Sequence, residues 1–230
     1  MTRQIVLDTE TTGLDPAQGH RVIEIGALEI LNRRITGATY HVYLNPERDI
    51  DAGALAVHGL SREFLSDKPR FADVSGEFLD FVRDAELIIH NAPFDIGFLN
   101  AELAYLNDGP MKRFCGVLDT LKLAKQLHPG QKNNLDALCR RYFVDNAGRT
   151  FHGALLDAQL LAEVYLAMTR GQETLGIDIS QPGIKAGGGC RRQPGAAGSL
   201  KVLRASEHEL ELHQAYLAGL GKESGDIPSW

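Results

Sequence analysis

Cysteine is scarce in this chain: Cys115, Cys139 and Cys190 are widely spaced, odd in number and form no CxxC pair. That pattern excludes a disulfide framework and a zinc site, and it fits a reducing compartment. Long apolar runs are missing as well. No stretch approaches the roughly 18 apolar residues that cross a bilayer, and Ile5 to Leu7 is too short for a secretory core. The expectation is a cytoplasmic location with no membrane partner. Positive charge is in deficit, with 24 Lys and Arg against 30 Asp and Glu and a formal charge of −6. The deficit is local: from Leu175 onward six bases face six acids, which leaves 18 bases against 24 acids in the first 174 residues. Such a surface repels a polyanion unless metal ions or a local basic patch intervene. Acids and aromatics are absent from Ile179 to Ser199, where six glycines, two prolines and three bases read as a flexible linker.

What remains is ample for folding. With 43% apolar residues over 230 positions, the chain can bury one substantial core and carry something smaller beside it. The segments Ile5 to Leu7, Val22 to Leu31 and Thr39 to Leu44 read as strands of an antiparallel meander, the last two joined by Asn32-Arg33-Arg34. Phe71 to Val82 has a helical period and Ala85 to His90 reads as a short buried strand. Pro93 suits a first helical position before Ile96 to Leu106, a helix starts at Asp119-Thr120, and Leu135 to Tyr142 is another. Ala154 to Met168 reads as an amphipathic helix with Asp157 in its second turn. The expected fold class is α/β, a mixed sheet flanked by helices over residues 1–175, then a linker over 176–199 and a short C-terminal helical segment over 200–230. That last segment is too short for a core of its own and needs a partner surface.

The first strand ends in Asp8-Thr9-Glu10-Thr11-Thr12-Gly13 instead of continuing into the core. Side chains repeat every second residue in a strand, so Asp8 and Glu10 project from one face, where two carboxylates resist desolvation unless a cation sits between them. Asp95 follows a later strand and Asp157 lies on the last helix of the domain. Four carboxylates from separated segments make an oxygen-rich site that selects hard cations such as Mg²⁺ or Mn²⁺. Two such ions would cancel the charge of these groups and turn a phosphate-repelling cleft into an attracting one. His152 stands just ahead of the Asp157 helix; an imidazole titrates near ~6.5 and can take a proton from an attacking water near neutral pH. Taken alone, each of these residues reads as a solvated turn or helix-end residue, and only the set argues for chemistry.

Three strings resemble, in order and spacing, the exonuclease motifs of the DEDD family: Asp8 to Gly13, His90-Asn91-Ala92-Pro93-Phe94-Asp95, and His152-Gly153-Ala154-Leu155-Leu156-Asp157. The HxxxxD form of the third marks the histidine subclass. Fuller matches over Ile5 to Leu14, Leu135 to Cys139 and His152 to Ala158 resemble the proofreading exonucleases of bacterial replicative DNA polymerases. The resemblance implies an RNase H-like fold and 3′–5′ removal of nucleotides from a DNA 3′ end. It implies metal ligands at Asp8, Glu10, Asp95 and Asp157 and a general base at His152. It also implies contacts to the terminal nucleotide from Asp8, Thr9, Glu10, Thr11, His58 and Asp157. His90 and Asn91 are expected to fix the strand end by hydrogen bonds.

Partners follow from the same resemblance. Leu200 to Trp230 should dock on the catalytic alpha subunit of the polymerase, and a small theta-like subunit on the nuclease domain is left open. Gln172 to Ile177 resembles the QxxLxΦ peptide that engages the sliding clamp, though an ordinary helix end has the same look. The alternatives are a DEDD-histidine RNase trimming RNA 3′ ends, or a catalytically silent scaffold of the polymerase.

Overall fold

The computed structural model of the protein describes residues 3–147, 151–170 and 206–224. Linker residues 176–199, the Gln172 to Ile177 peptide and Cys190 lie outside the described residues. Three strands open the chain, β1 (Arg3–Thr11), β2 (Val22–Leu31) and β3 (Arg34–Tyr43), in an antiparallel meander. Asn32 and Arg33 are both left-handed, with φ of 50° and 63°, as a two-residue hairpin turn requires. β3 is therefore longer than the expected Thr39 to Leu44, since Arg34 already pairs with Leu31. Its first six residues are exposed on an edge strand, so no apolar alternation announces them.

Two short helices, α1 (Ala52–His58) and α2 (Arg62–Leu65), come next; then α3 (Phe71–Val82), β4 (Glu86–Ile89), α4 (Ala92–Tyr105) and β5 (Gly116–Asp119). β4 runs parallel to β1, and β5 parallel to β4, giving the order β3-β2-β1-β4-β5 with β1 central. Helices α5 (Thr120–Leu127), α6 (Leu135–Tyr142) and α7 (Ala154–Met168) complete the first compact unit, Met1–Gly176.

The central strand is buried on both faces, and its alternation decides where the acids go. Ile5 and Leu7 join a core with Phe71, Phe78 and Val82 of α3 and Phe98, Leu99 and Leu103 of α4. Val6 points the other way, into a core with Leu138 of α6 and Ala158, Leu161 and Tyr165 of α7. Continuing each row by two residues puts Asp8 and Glu10 on the α7 face and Thr9 on the α4 face. α7 differs from the amphipathic reading: Leu160, Leu161, Ala162, Val164 and Tyr165 are all buried, because the helix is packed by β1, β2 and α6 together. Asp157 lies in its first turn, one turn earlier than expected.

The second unit, Ile177–Trp230, contains α8 (Glu207–Ser224). Its start is set by a capping box: the Ser206 amide donates to Glu209 Oε2 at 2.8 Å and the Glu209 amide donates to Ser206 Oγ at 3.3 Å. The described helix begins at Glu207; residues 200–205 of the expected segment lie outside the described ones. Leu210 and Leu212 are exposed.

Candidate active site

Because β4 is parallel to β1, the chain leaves both strands at the same sheet edge, and the next helix starts there. The turn out of β4 is made by Asn91, which takes a left-handed φ of 67°. Its contribution is conformational, since no side-chain capping bond is made. His90 is held by its Nδ1, 2.9 Å from Thr120 Oγ1. Asp95 is the fourth residue of α4 and Asp157 the fourth of α7, so both carboxylates sit by a helix N-terminus, where the backbone dipoles favour negative charge.

These residues converge. Asp8, Thr9, Glu10, His90, Asn91, Phe94, Asp95, Leu135, His152 and Asp157 line one cleft of about 220 Å³. Donor atoms of Glu10, His152 and Asp157 all lie within 4.8 Å of one another. Ligands of one divalent ion sit about 2.0–2.5 Å from it, so such a trio fits a cation with little adjustment. His152 Nδ1 is 3.2 Å from Asp157 Oδ2; Asp157 is 5% exposed and His152 45%, so a buried carboxylate orients an imidazole that still meets solvent. The His152 amide donates to the Val57 carbonyl at 3.1 Å, which anchors this segment on α1.

Asp95 lies deeper. Its Oδ1 accepts from the Thr9 amide at 3.1 Å and from Thr9 Oγ1 at 2.7 Å. Desolvation dominates nonetheless and raises the Asp95 pKa from 3.8 to about 7, with the Asp119 charge adding to it and the Thr9 bonds opposing it.

A second cavity of about 420 Å³ adjoins the cleft and shares Thr9, Glu10 and Phe94 with it; Thr11, Leu14, Val57 and His58 line the remainder. His58 Nδ1 accepts the Leu60 amide at 3.0 Å, so Nε2 carries the proton, and it is buried near the Thr11 backbone. Burial lowers the His58 pKa, against the pull of the Thr11 backbone. A larger open depression of about 590 Å³, lined by Arg21, Arg48, Arg62 and Tyr105, contains none of the cleft acids.

The sequence reading overlooked Gly26. It pairs with Asp8 across the β1–β2 ladder, and a Cβ there would overlap Leu155 N and Ala154 C at the start of α7. The bare glycine lets α7 lie directly on the sheet and so brings Asp157 to Asp8. A glycine inside an otherwise apolar strand run was the available signal.

The family model for exonucleases matches residues 5–165. The chain is 51% identical to the DNA polymerase III subunit epsilon of Salmonella typhimurium over 240 residues, covering 98% of this chain and 96% of that one. It is 50% identical to the Escherichia coli subunit epsilon over 233 residues, with the same coverage. Among solved structures, exonuclease X in complex with 5′ overhanging duplex DNA superposes with a TM-score of 0.58 at 24% identity, over 72% of this chain and 90% of that chain, a likeness of fold. With the DEDD acids and the histidine gathered at one sheet edge, the chain belongs to the exonuclease family, in its DNA polymerase III subunit epsilon branch.

Proposed function

We infer that the protein is the 3′–5′ proofreading exonuclease subunit of a bacterial replicative DNA polymerase. The observation that carries this is the clustering of Glu10, His152 and Asp157 in a cleft also lined by Asp8 and Asp95. Two divalent cations, Mg²⁺ or Mn²⁺, held by Asp8, Glu10, Asp95 and Asp157, would neutralise the phosphodiester and stabilise the departing oxyanion. His152, oriented by Asp157, takes the proton of the attacking water. Thr9, Thr11 and His58 border the adjoining cavity, which suits a terminal nucleotide, and Asp8, Glu10 and Asp157 face its phosphate. Selectivity for errors follows from the lower cost of unpairing a mismatched end.

In this reading residues 1–175 are the nuclease, 176–199 a tether and 200–230 the segment that docks on the alpha subunit, in the cytoplasm. Gln172 to Ile177 is offered as a clamp-binding peptide and the nuclease domain as the seat of any theta-like subunit. The test is digestion of a 3′-labelled DNA strand by the purified chain. Mg²⁺-dependent release of nucleotides, abolished by chelator and reduced by several orders of magnitude in Asp8→Ala, is expected. A silent scaffold predicts no difference between wild type and Asp8→Ala. An RNA-trimming enzyme predicts faster single-turnover cleavage of the matched RNA strand.

A further inference from the structure

Glu24 is a buried carboxylate that the chemistry above leaves unused. It sits on β2 directly opposite Glu10 in the ladder, only 2% exposed, and cross-strand partners project to the same face. Two carboxylates in that relation repel each other, and burying one without a partner is strongly unfavourable. The partner comes from the next strand: His41 of β3 places its Nε2 2.8 Å from Glu24 Oε1. A carboxylate only accepts, so Nε2 is the donor. The His41 ring is itself seated edge-on against Tyr43, at 4.9 Å between centroids, and remains about one third exposed.

The same oxygen faces the general-base segment. A Cβ built on Gly153 would lie 3.9 Å from Glu24 Oε1, ordinary van der Waals range, so the carboxylate lies beside the backbone between His152 and α7. Glu24 therefore neighbours two parts of the cleft at once: it lies across the ladder from Glu10, and it lies beside the backbone that carries His152.

We propose that Glu24, fixed by His41, is a positioning residue of the nuclease site, holding Glu10 and the His152-Gly153 segment in register for metal binding and proton transfer. The proposal rests on the exonuclease reading. Residues standing behind metal ligands typically contribute about 10- to 100-fold in metal affinity or activity. The substrate meets neither Glu24 nor His41 directly, so kcat and metal affinity should change and KM should not.

The test uses the full chain and four variants: Glu24→Ala, Glu24→Gln, His41→Ala and the Glu24→Ala/His41→Ala double. For each, kcat and KM are measured on a single-stranded DNA oligonucleotide, with Mn²⁺ affinity measured by titrating chelator-treated protein and following free Mn²⁺ by electron paramagnetic resonance. We expect the alanine variants to lose about 10- to 100-fold in kcat and to bind Mn²⁺ correspondingly more weakly, at a KM within about twofold of wild type. The double variant should be no worse than the worse single one, because the pair acts as a unit. Glu24→Gln retains an oxygen for His41 and should recover most of the activity. Wild-type kcat and Mn²⁺ affinity in both single alanine variants would overturn the proposal. So would losses that track a fall in melting temperature, with Mn²⁺ affinity unchanged. His41 is partly exposed, so His41→Ala decides the matter even where Glu24→Ala fails to fold. Absence of Mg²⁺-dependent hydrolysis by wild type would instead refute the exonuclease reading itself.

Discussion

At the scale of single residues the site combines groups whose environments differ sharply. Asp95 is buried, and its pKa rises from 3.8 to about 7, so the metal-free fold prefers it protonated. The folded-state value lies above the unfolded one. The stabilisation is therefore complete below about pH 4 and is lost as pH climbs through about 7. Asp95→Asn keeps an oxygen for the two Thr9 bonds and cannot ionise. In chelator the variant should melt above wild type at about pH 8, and the gap should narrow as pH falls and close below about pH 4; a gap independent of pH would contradict the burial argument. The same variant should be inactive. His152→Ala should lower kcat by about 10²–10⁴-fold. Its segment should stay in place, because the backbone amide rather than the ring bonds Val57. A loss that imidazole in the buffer partly restores would assign the effect to proton transfer.

At the scale of elements the decisive contact is α7 on β2. Gly26→Ala should push the start of α7 away from Asp8, costing about 1–3 kcal/mol in overpacking and roughly 100-fold in kcat, because a shift near 1 Å at reacting groups is that expensive. Gly76→Ala, in the open on α3, should instead raise stability by about 0.5–1 kcal/mol with activity unchanged. Equal effects of the two substitutions on thermal melts would show that propensity, not the close approach, governs position 26. What the sequence made legible follows from the same physics. β1, β2, α3, β4 and α6 bury continuous or periodic apolar rows, and Asp8, Glu10, Asp95, His152 and Asp157 stand at the ends of such elements. α1 and α2 bury one residue each, His58 and Leu65, and β5 has only Val117 and Leu118 as apolar residues, so pattern gave them no signal. Glu24 was hidden inside an apolar strand run, because its partner His41 is 17 residues away and only the β2–β3 pairing brings them together.

At the scale of the whole molecule, charge and chain length pose one problem. The first 174 residues carry the entire net charge of −6, so away from its cations the nuclease unit repels the strand it is read as cutting. In the proposed reading the glycine-rich composition of Ile179 to Ser199 would answer it: a flexible chain of 21 residues would have an r.m.s. span of ~25 Å, from ~5–6 Å × √n, and would give an effective concentration of order millimolar at a docked primer end. In that reading affinity would come from the tail and chemistry from the acids, and the two should separate. Deleting Ile179 to Trp230 should leave kcat on a short single strand within about twofold, since every cleft residue lies in the first unit. Co-purification with the polymerase should vanish, and excision at a primer end should then rise linearly with nuclease concentration and rise with moderate added monovalent salt, which screens the repulsion between an acidic protein and the strand. Loss of hydrolysis and of co-purification together would show that the C-terminal segment supports the nuclease fold rather than delivering it.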